Sequence, residues 1–116
     1  MIDEHKHIQE TLEDILPTYY EYILTNKVSF PCITFYEYRN QADEQSKNIG
    51  YSTVAYYVKI WSDDIETVQD KAQDIDKAMR AIGYKRTSST EMIIDKSICK
   101  IFIYTARGFE DFRKEV

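Results

Sequence analysis

Residues 48–64, NIGYSTVAYYVKIWSDD, decide how this chain folds, because they read as one long β-strand with too many large apolar side chains. Alternation puts Val54, Tyr56, Val58 and Ile60 on one face and Tyr51, Ala55, Tyr57 and Trp61 on the other. A half-buried strand alternates apolar with polar residues, so a strand that is apolar on both sides requires two covers. The next stretch, SDDIETVQDKAQDIDKAMRAIG (62–83), supplies the first. Its Ile65, Val68, Ala72, Ile75, Met79 and Ile82 step by three and four residues, which predicts one continuous apolar stripe on a helix. Asp63 with Glu66 at capping-box spacing, or Ser62, is the expected N-cap, and Gly83 the expected C′ residue.

Working outward, DEHKHIQETLEDIL (3–16) predicts a first helix with Ile8, Leu12 and Ile15 inward and Asp3 as cap, broken near Leu16 by Pro17. TYYEYILTN (18–26) fits a short helical turn through Tyr19, Tyr20, Ile23 and Leu24. PCITFYEYR (31–39) is β-branched and aromatic and predicts a strand with Pro31 at its start. NQADEQSKNIG (40–50) is polar and aperiodic and predicts a long hairpin loop spanning Arg39 to Ile49. The remainder predicts a second hairpin, turning at Lys96–Ser97, with Ile98, Phe102 and Tyr104 on one face of its last strand and Cys99, Ile101 and Ile103 on the other. The order is α-β-β-α-β-β, an α+β fold with an antiparallel sheet and helices packed on one face, in a single domain over 1–116.

The chain has 116 residues and a net charge of −5, and that deficit lies wholly in residues 1–50. An acidic chain repels phosphate backbones, which disfavours general nucleic-acid binding. No apolar run approaches the ~20 residues of a membrane helix, and MIDEHKHIQE lacks a secretory signal's apolar core. Cys32 and Cys99 stand in separate apolar segments without a CxxC pairing, so they read as reduced core thiols of a cytosolic protein. The ten tyrosines are the unusual count, since Tyr supplies broad amphipathic contact area and recurs at interfaces.

Candidate chemistry is sparse. His5 and His7, two apart on a helix, point in divergent directions and make no joint metal site, so both read as surface residues. Three glycines, Gly50, Gly83 and Gly108, cannot build a phosphate-cradling loop. Asp63, Asp70 and Asp74 lie on the polar side of the helical stripe beside Lys71 and Lys77, as a solvated face does. No histidine stands in any recognisable motif with Ser88, Ser89 or Ser97. The expectation is no catalytic residue, no cofactor and no metal. Tyr36, Tyr38, Tyr56, Tyr57 and Trp61 could form a base-stacking platform on a sheet, but no glycine-aromatic RNA-binding motif accompanies them.

FPCITFYEYRNQ (30–41), GYSTVAYYVKIWSDD (50–64) and the helix end KAMRAIGYKRTSS (77–89) resemble the tail completion, or tail terminator, proteins of long-tailed bacteriophages and prophages. The resemblance covers residues 30 to 89 and carries no catalytic residue. It implies a small α+β subunit that assembles with itself into a ring, usually a hexamer, at the head-proximal end of the tail. The ring would stop tail tube protein from polymerising and offer a surface to the head-tail connector, in the bacterial cytoplasm during assembly and then in the virion. The acidic charge and the short apolar runs already give the matching expectation of no recognition of nucleic acid sequence and no membrane association. The candidate interface comprises Tyr51, Tyr57 and Trp61 on the outward face of the long strand, with Arg39 and Asn40 at the loop. Two other readings stay open: another head-tail connector or neck protein of similar fold, and a small α+β ligand-binding or regulatory domain.

Overall fold

The central strand does receive its first cover. In a computed structural model describing residues 4–21, 29–42, 51–94 and 97–109, with only the backbone described at 42, 51, 52 and 107–109, the helices lie on one face of a five-stranded sheet. The elements are α1 (His5–Glu13), β1 (Thr18–Tyr20), β2 (Cys32–Ala42), β3 (Tyr51–Ser62), α2 (Ile65–Ala81), β4 (Lys85–Ile94) and β5 (Ser97–Phe109). Strand order is β1-β2-β3-β5-β4, which puts β3 in the middle. All pairs are antiparallel except β1 with β2. The fold is a single α+β domain.

Helix α2 forms where the stripe predicts it. Val68, Ile75 and Met79 are fully buried and Ala72 nearly so, against Val54, Tyr56, Val58 and Ile60 of β3 and Phe102 and Tyr104 of β5. Fully burying a Val, Ile or Met side chain stabilises by ~1.5–3 kcal/mol, so this stripe is the main seam of the core. Its ends overhang: Ile65 is exposed and Ile82 only partly buried. The N-cap is Asp64 rather than Asp63 or Ser62, because β3 runs on to Ser62 before the chain turns. Asp64 Oδ1 accepts the Glu66 amide at 3.3 Å and Oδ2 the Thr67 hydroxyl at 2.9 Å, while Ser62 Oγ accepts the Asp64 amide. Asp63 turns instead to the Ser97 hydroxyl. At the other end Gly83 takes φ 95°, its amide donates to the Arg80 carbonyl at 3.0 Å, and the Tyr84 amide reaches the Met79 carbonyl at 2.9 Å. This is a Schellman stop, which needs a residue free of a Cβ at that φ.

Four local expectations are corrected. Thr18–Tyr20 is a strand and not a helical turn, because the parallel edge of β2 offers Ile33, Thr34 and Phe35 as backbone neighbours; Ile23 and Leu24 lie outside the described residues. The hairpin loop does not begin at Arg39: β2 continues to Ala42, with Arg39–Ala42 paired to residues 52–55, and 43–50 lie outside the described residues. Ser97 is not in a turn but pairs with Ile94 as the first residue of β5. His5 is half-buried rather than a surface residue, its ring 4.8 Å from Tyr20 and edge-on to Tyr56 at 5.7 Å.

The N-terminal helix is capped at Glu4, without a side-chain cap bond, and Asp3 lies outside the described residues. Glu4 is fully buried, and its Oε1 accepts the Tyr84 hydroxyl at 2.9 Å, tying α1 to the residue that follows α2. Ile8 and Leu12 bring the rest of α1 into the same core.

Replacing Ile75, fully buried at the middle of the stripe, with Asp puts an unpaired charge in the core, which costs several kcal/mol against a total stability of ~5–15 kcal/mol. The expected result is loss of the cooperative thermal transition followed by circular dichroism. A parent-like melt would show that this seam does not hold the domain.

Candidate partner-binding face

The second cover of β3 comes partly from its own chain. The register places Cys32, Thr34 and Tyr36 of β2, Tyr57, Lys59 and Trp61 of β3, and Cys99, Ile101 and Ile103 of β5 on the face away from the helices. Trp61 stands between Cys32 and Cys99 in the pairing, half-buried, with Phe30 stacked on it at 5.9 Å and 12°. Its Nε1 donates to Thr34 Oγ1 at 2.9 Å, which satisfies a buried hydroxyl. Tyr57 stacks on Tyr36 at 4.8 Å and meets Tyr38 edge-on at 5.1 Å. Lys59 lays its ammonium 5.2 Å from the Tyr36 ring centroid and pairs with Glu21 at 2.8 Å. A lysine thus covers apolar surface with its stem while its charge is met at the rim.

This arrangement brings Tyr57, Trp61 and Arg39 onto one face and sends Asn40 to the other. A β-bulge between Glu37 and Arg39 takes Tyr38 out of the alternation. Arg39 then pairs with Ala55 on the outer face, its guanidinium 5.7 Å from the Tyr38 ring centroid. Asn40 pairs with Val54, on the helix-bearing face, and its Nδ2 donates to Glu37 Oε1 at 2.7 Å. Tyr51 begins β3, and its side chain lies outside those described. The most accessible rings of this face are absent from the candidate interface read from the sequence: Phe30, 43% exposed, and Tyr38, 49% exposed, the latter weighed only for a base-stacking platform. Phe30 precedes its strand and Tyr38 occupies a bulge, so alternation alone could not assign either to a face. Ile101 and Ile103 are half-buried, and Met92 of β4, opposite Cys99, is exposed, so the apolar surface continues across the sheet.

Cys32 and Cys99 are both buried and free, two strands apart across β3, a spacing of nearly 10 Å that no disulfide spans. Burial pushes both thiols up to about 11, with Lys59 opposing the rise at Cys99.

A groove of about 530 Å³ opens on the helix-bearing side between α2 and the β4–β5 pair. Its wall includes Phe102, Gln73, Asp76, Lys77, Arg86 and Lys100. Asp76 is engaged there by the Tyr104 hydroxyl at 3.1 Å, Arg80 at 2.9 Å and Arg86 at 3.7 Å. Burial, with Asp76 beside it, pushes the Tyr104 phenol up. Among the described residues no group of three or more His, Cys, Asp or Glu could hold a metal ion, and no helix is long and apolar enough to cross a membrane. No protein-family model matches the chain, and no curated protein matches it with significance.

The thiols set a pH dependence. A group whose folded value lies above its unfolded 9.0 holds its proton longer in the native state, so unfolding releases protons above that value. Stability measured by urea unfolding should therefore be unaffected by the thiols below pH 9.0 and fall as pH rises from there to about 11. Replacing both cysteines with Ser should remove that part of the fall. Native protein should also react with a thiol reagent far more slowly than the urea-unfolded chain; equal rates would show the two sites to be open.

Proposed function

We propose that this protein is a structural assembly component that caps the tail tube of a long-tailed phage or prophage as an oligomeric ring and joins it to the head. The observation that carries the reading is the outer sheet face: Phe30 and Tyr38 exposed, and Tyr57 and Trp61 held half-buried behind them on β3. Aromatic residues dominate binding hot spots, and a central one contributes ~2 kcal/mol or more. The resemblance carried by residues 30–89 suggests the partners: copies of the same chain, closing into a hexameric ring, the tail tube protein and the head-tail connector. A subunit that matches the tube surface on one side and not on the other ends growth by geometry, with no turnover. The groove beside α2 favours a second reading, a small-ligand-binding domain.

In a phage or prophage lacking this gene, tails should be irregular and overlong, with heads unattached, and the wild-type gene should restore both. A Phe30→Arg, Tyr38→Arg variant removes two rings from the outer face and leaves the helix-side core intact, so it should still melt cooperatively, lowered by several degrees for the two lost ring contacts, yet fail to restore tail length. Normal-length tails joined to heads in the complete absence of the protein would sink the assignment.

A further inference from the structure

We infer that the outer edge of β4, unpaired among the described residues, is occupied by β4 of a second copy of this chain, the two strands running antiparallel about a two-fold axis at Ser89. β4 ends the strand order, pairs on one side with β5, and is exposed along its length except at half-buried Ser88. Ten residues of edge backbone offer a row of N–H and C=O groups to strand addition. The strand carries no proline, and its guards, the bulge at Thr87 and the charges of Lys85, Arg86 and Glu91, flank a neutral centre at Ser88-Ser89-Thr90, while Met92, Ile93 and Ile94 at its end are exposed by 45%, 78% and 41%.

The pattern of β4 itself selects the occupant. Pairing with β5 puts Arg86, Ser89, Glu91 and Ile93 on the helix-bearing face, opposite Tyr104, Phe102, Lys100 and Ile98. Lys85, Ser88, Thr90 and Met92 fall on the outer face, and the bulge between Arg86 and Ser88 removes Thr87 from the alternation. Residues directly opposite in an antiparallel pair share a face. An axis at Ser89, with Thr87 set aside, matches the faces throughout: Ser88 meets Thr90, Arg86 meets Glu91, and Lys85 meets Met92. Symmetry makes each contact twice, so two Arg–Glu pairs flank the axis. An axis one residue to either side pairs neither Arg86 nor Glu91 with an opposite charge, and parallel addition in register would set like against like. Arg86 stands 3.7 Å from Asp76 and over the Phe102 ring, and its five N–H donors leave capacity for a second carboxylate. A two-fold contact closes after two copies, so it consumes the edge without propagating. The inference goes beyond the tail-tube role and does not depend on it.

The test is a cysteine at the axis. In the Ser89→Cys variant the two introduced residues face each other with Cα atoms about 4.5–5.5 Å apart, within disulfide reach. Mild oxidation should give a covalent dimer, with the buried native thiols taking no part. Met92→Cys, opposite Lys85 of the second copy and far from its own counterpart, should stay uncrosslinked under the same oxidation. By sedimentation the unmodified chain should reach twice its 13.8 kDa mass. Exposed Glu91→Lys, which sets like charges opposite twice, should weaken self-association at least about tenfold with unchanged folding. In any larger assembly the Ser89→Cys crosslink should still stop at pairs. A 13.8 kDa species at every attainable concentration, no Ser89→Cys crosslink, or equally fast crosslinking of Met92→Cys would overturn the inference.

Discussion

The structure depends on covering one strand twice. β3 lies at the centre of the sheet with both neighbours paired along its length, so its backbone is satisfied and its side chains decide the rest. On the helix side, Val54, Tyr56, Val58 and Ile60 are fully buried under a helix whose apolar period matches the surface it meets. The opposite side has no described helix, and the solution there is different in kind. Rings lie on rings: Phe30 on Trp61, Tyr36 and Tyr38 on Tyr57, with the Lys59 stem and Glu21 at the rim. Stacked and edge-on aromatic pairs contribute ~0.5–1.5 kcal/mol beyond their buried area, so this layer stabilises the sheet while leaving a broad aromatic surface.

Aromatic residues with a polar end also fix the layers relative to each other. Tyr104 passes through the core from β5 and donates to Asp76 on α2. Tyr84 donates to buried Glu4 across 80 residues of sequence, so the helix at the start of the described chain is held by the end of the α2–β4 turn. Trp61 donates to Thr34 on the outer face. In each case the apolar body supplies burial and one donor supplies direction. A hydrocarbon of the same size would fill the space without specifying where the next element sits.

What the sequence made legible follows from the same physics. A 17-residue helix with a 3.6-residue period and the β3 alternation are repeated signals, and both were readable to within a residue or two. The three-residue β1 has no period to detect and exists because β2 had a free edge. The bulge at Tyr38 is a single inserted residue, invisible to pattern, yet it determines that Arg39 and not Asn40 joins Tyr57 and Trp61. Nothing in the local sequence marks out Glu4, and only its long-range meeting with Tyr84 reveals it as a buried tether. Alternation places Tyr57 and Trp61 on the outer face but says nothing of how far they are covered, because the rings that shield them belong to other segments.

That shielding changes how the outer face can bind. Rings already locked in pairs lose little rotamer freedom when a partner arrives, so more of the contact energy survives as affinity. For a partner arriving there, Phe30 and Tyr38 would offer the accessible parts, with Tyr57 and Trp61 the rigid floor beneath them. This aromatic floor lies on β2 and β3, whereas the outer edge of β4 is separated from β3 by the whole of β5. A partner on the aromatic face and a second copy on the β4 edge would therefore draw on different strands and different forces, stacked apolar area at one and backbone hydrogen bonds with paired charge at the other. Neither need displace the other, and a mutation chosen at one end of the sheet leaves the chemistry of the other end intact.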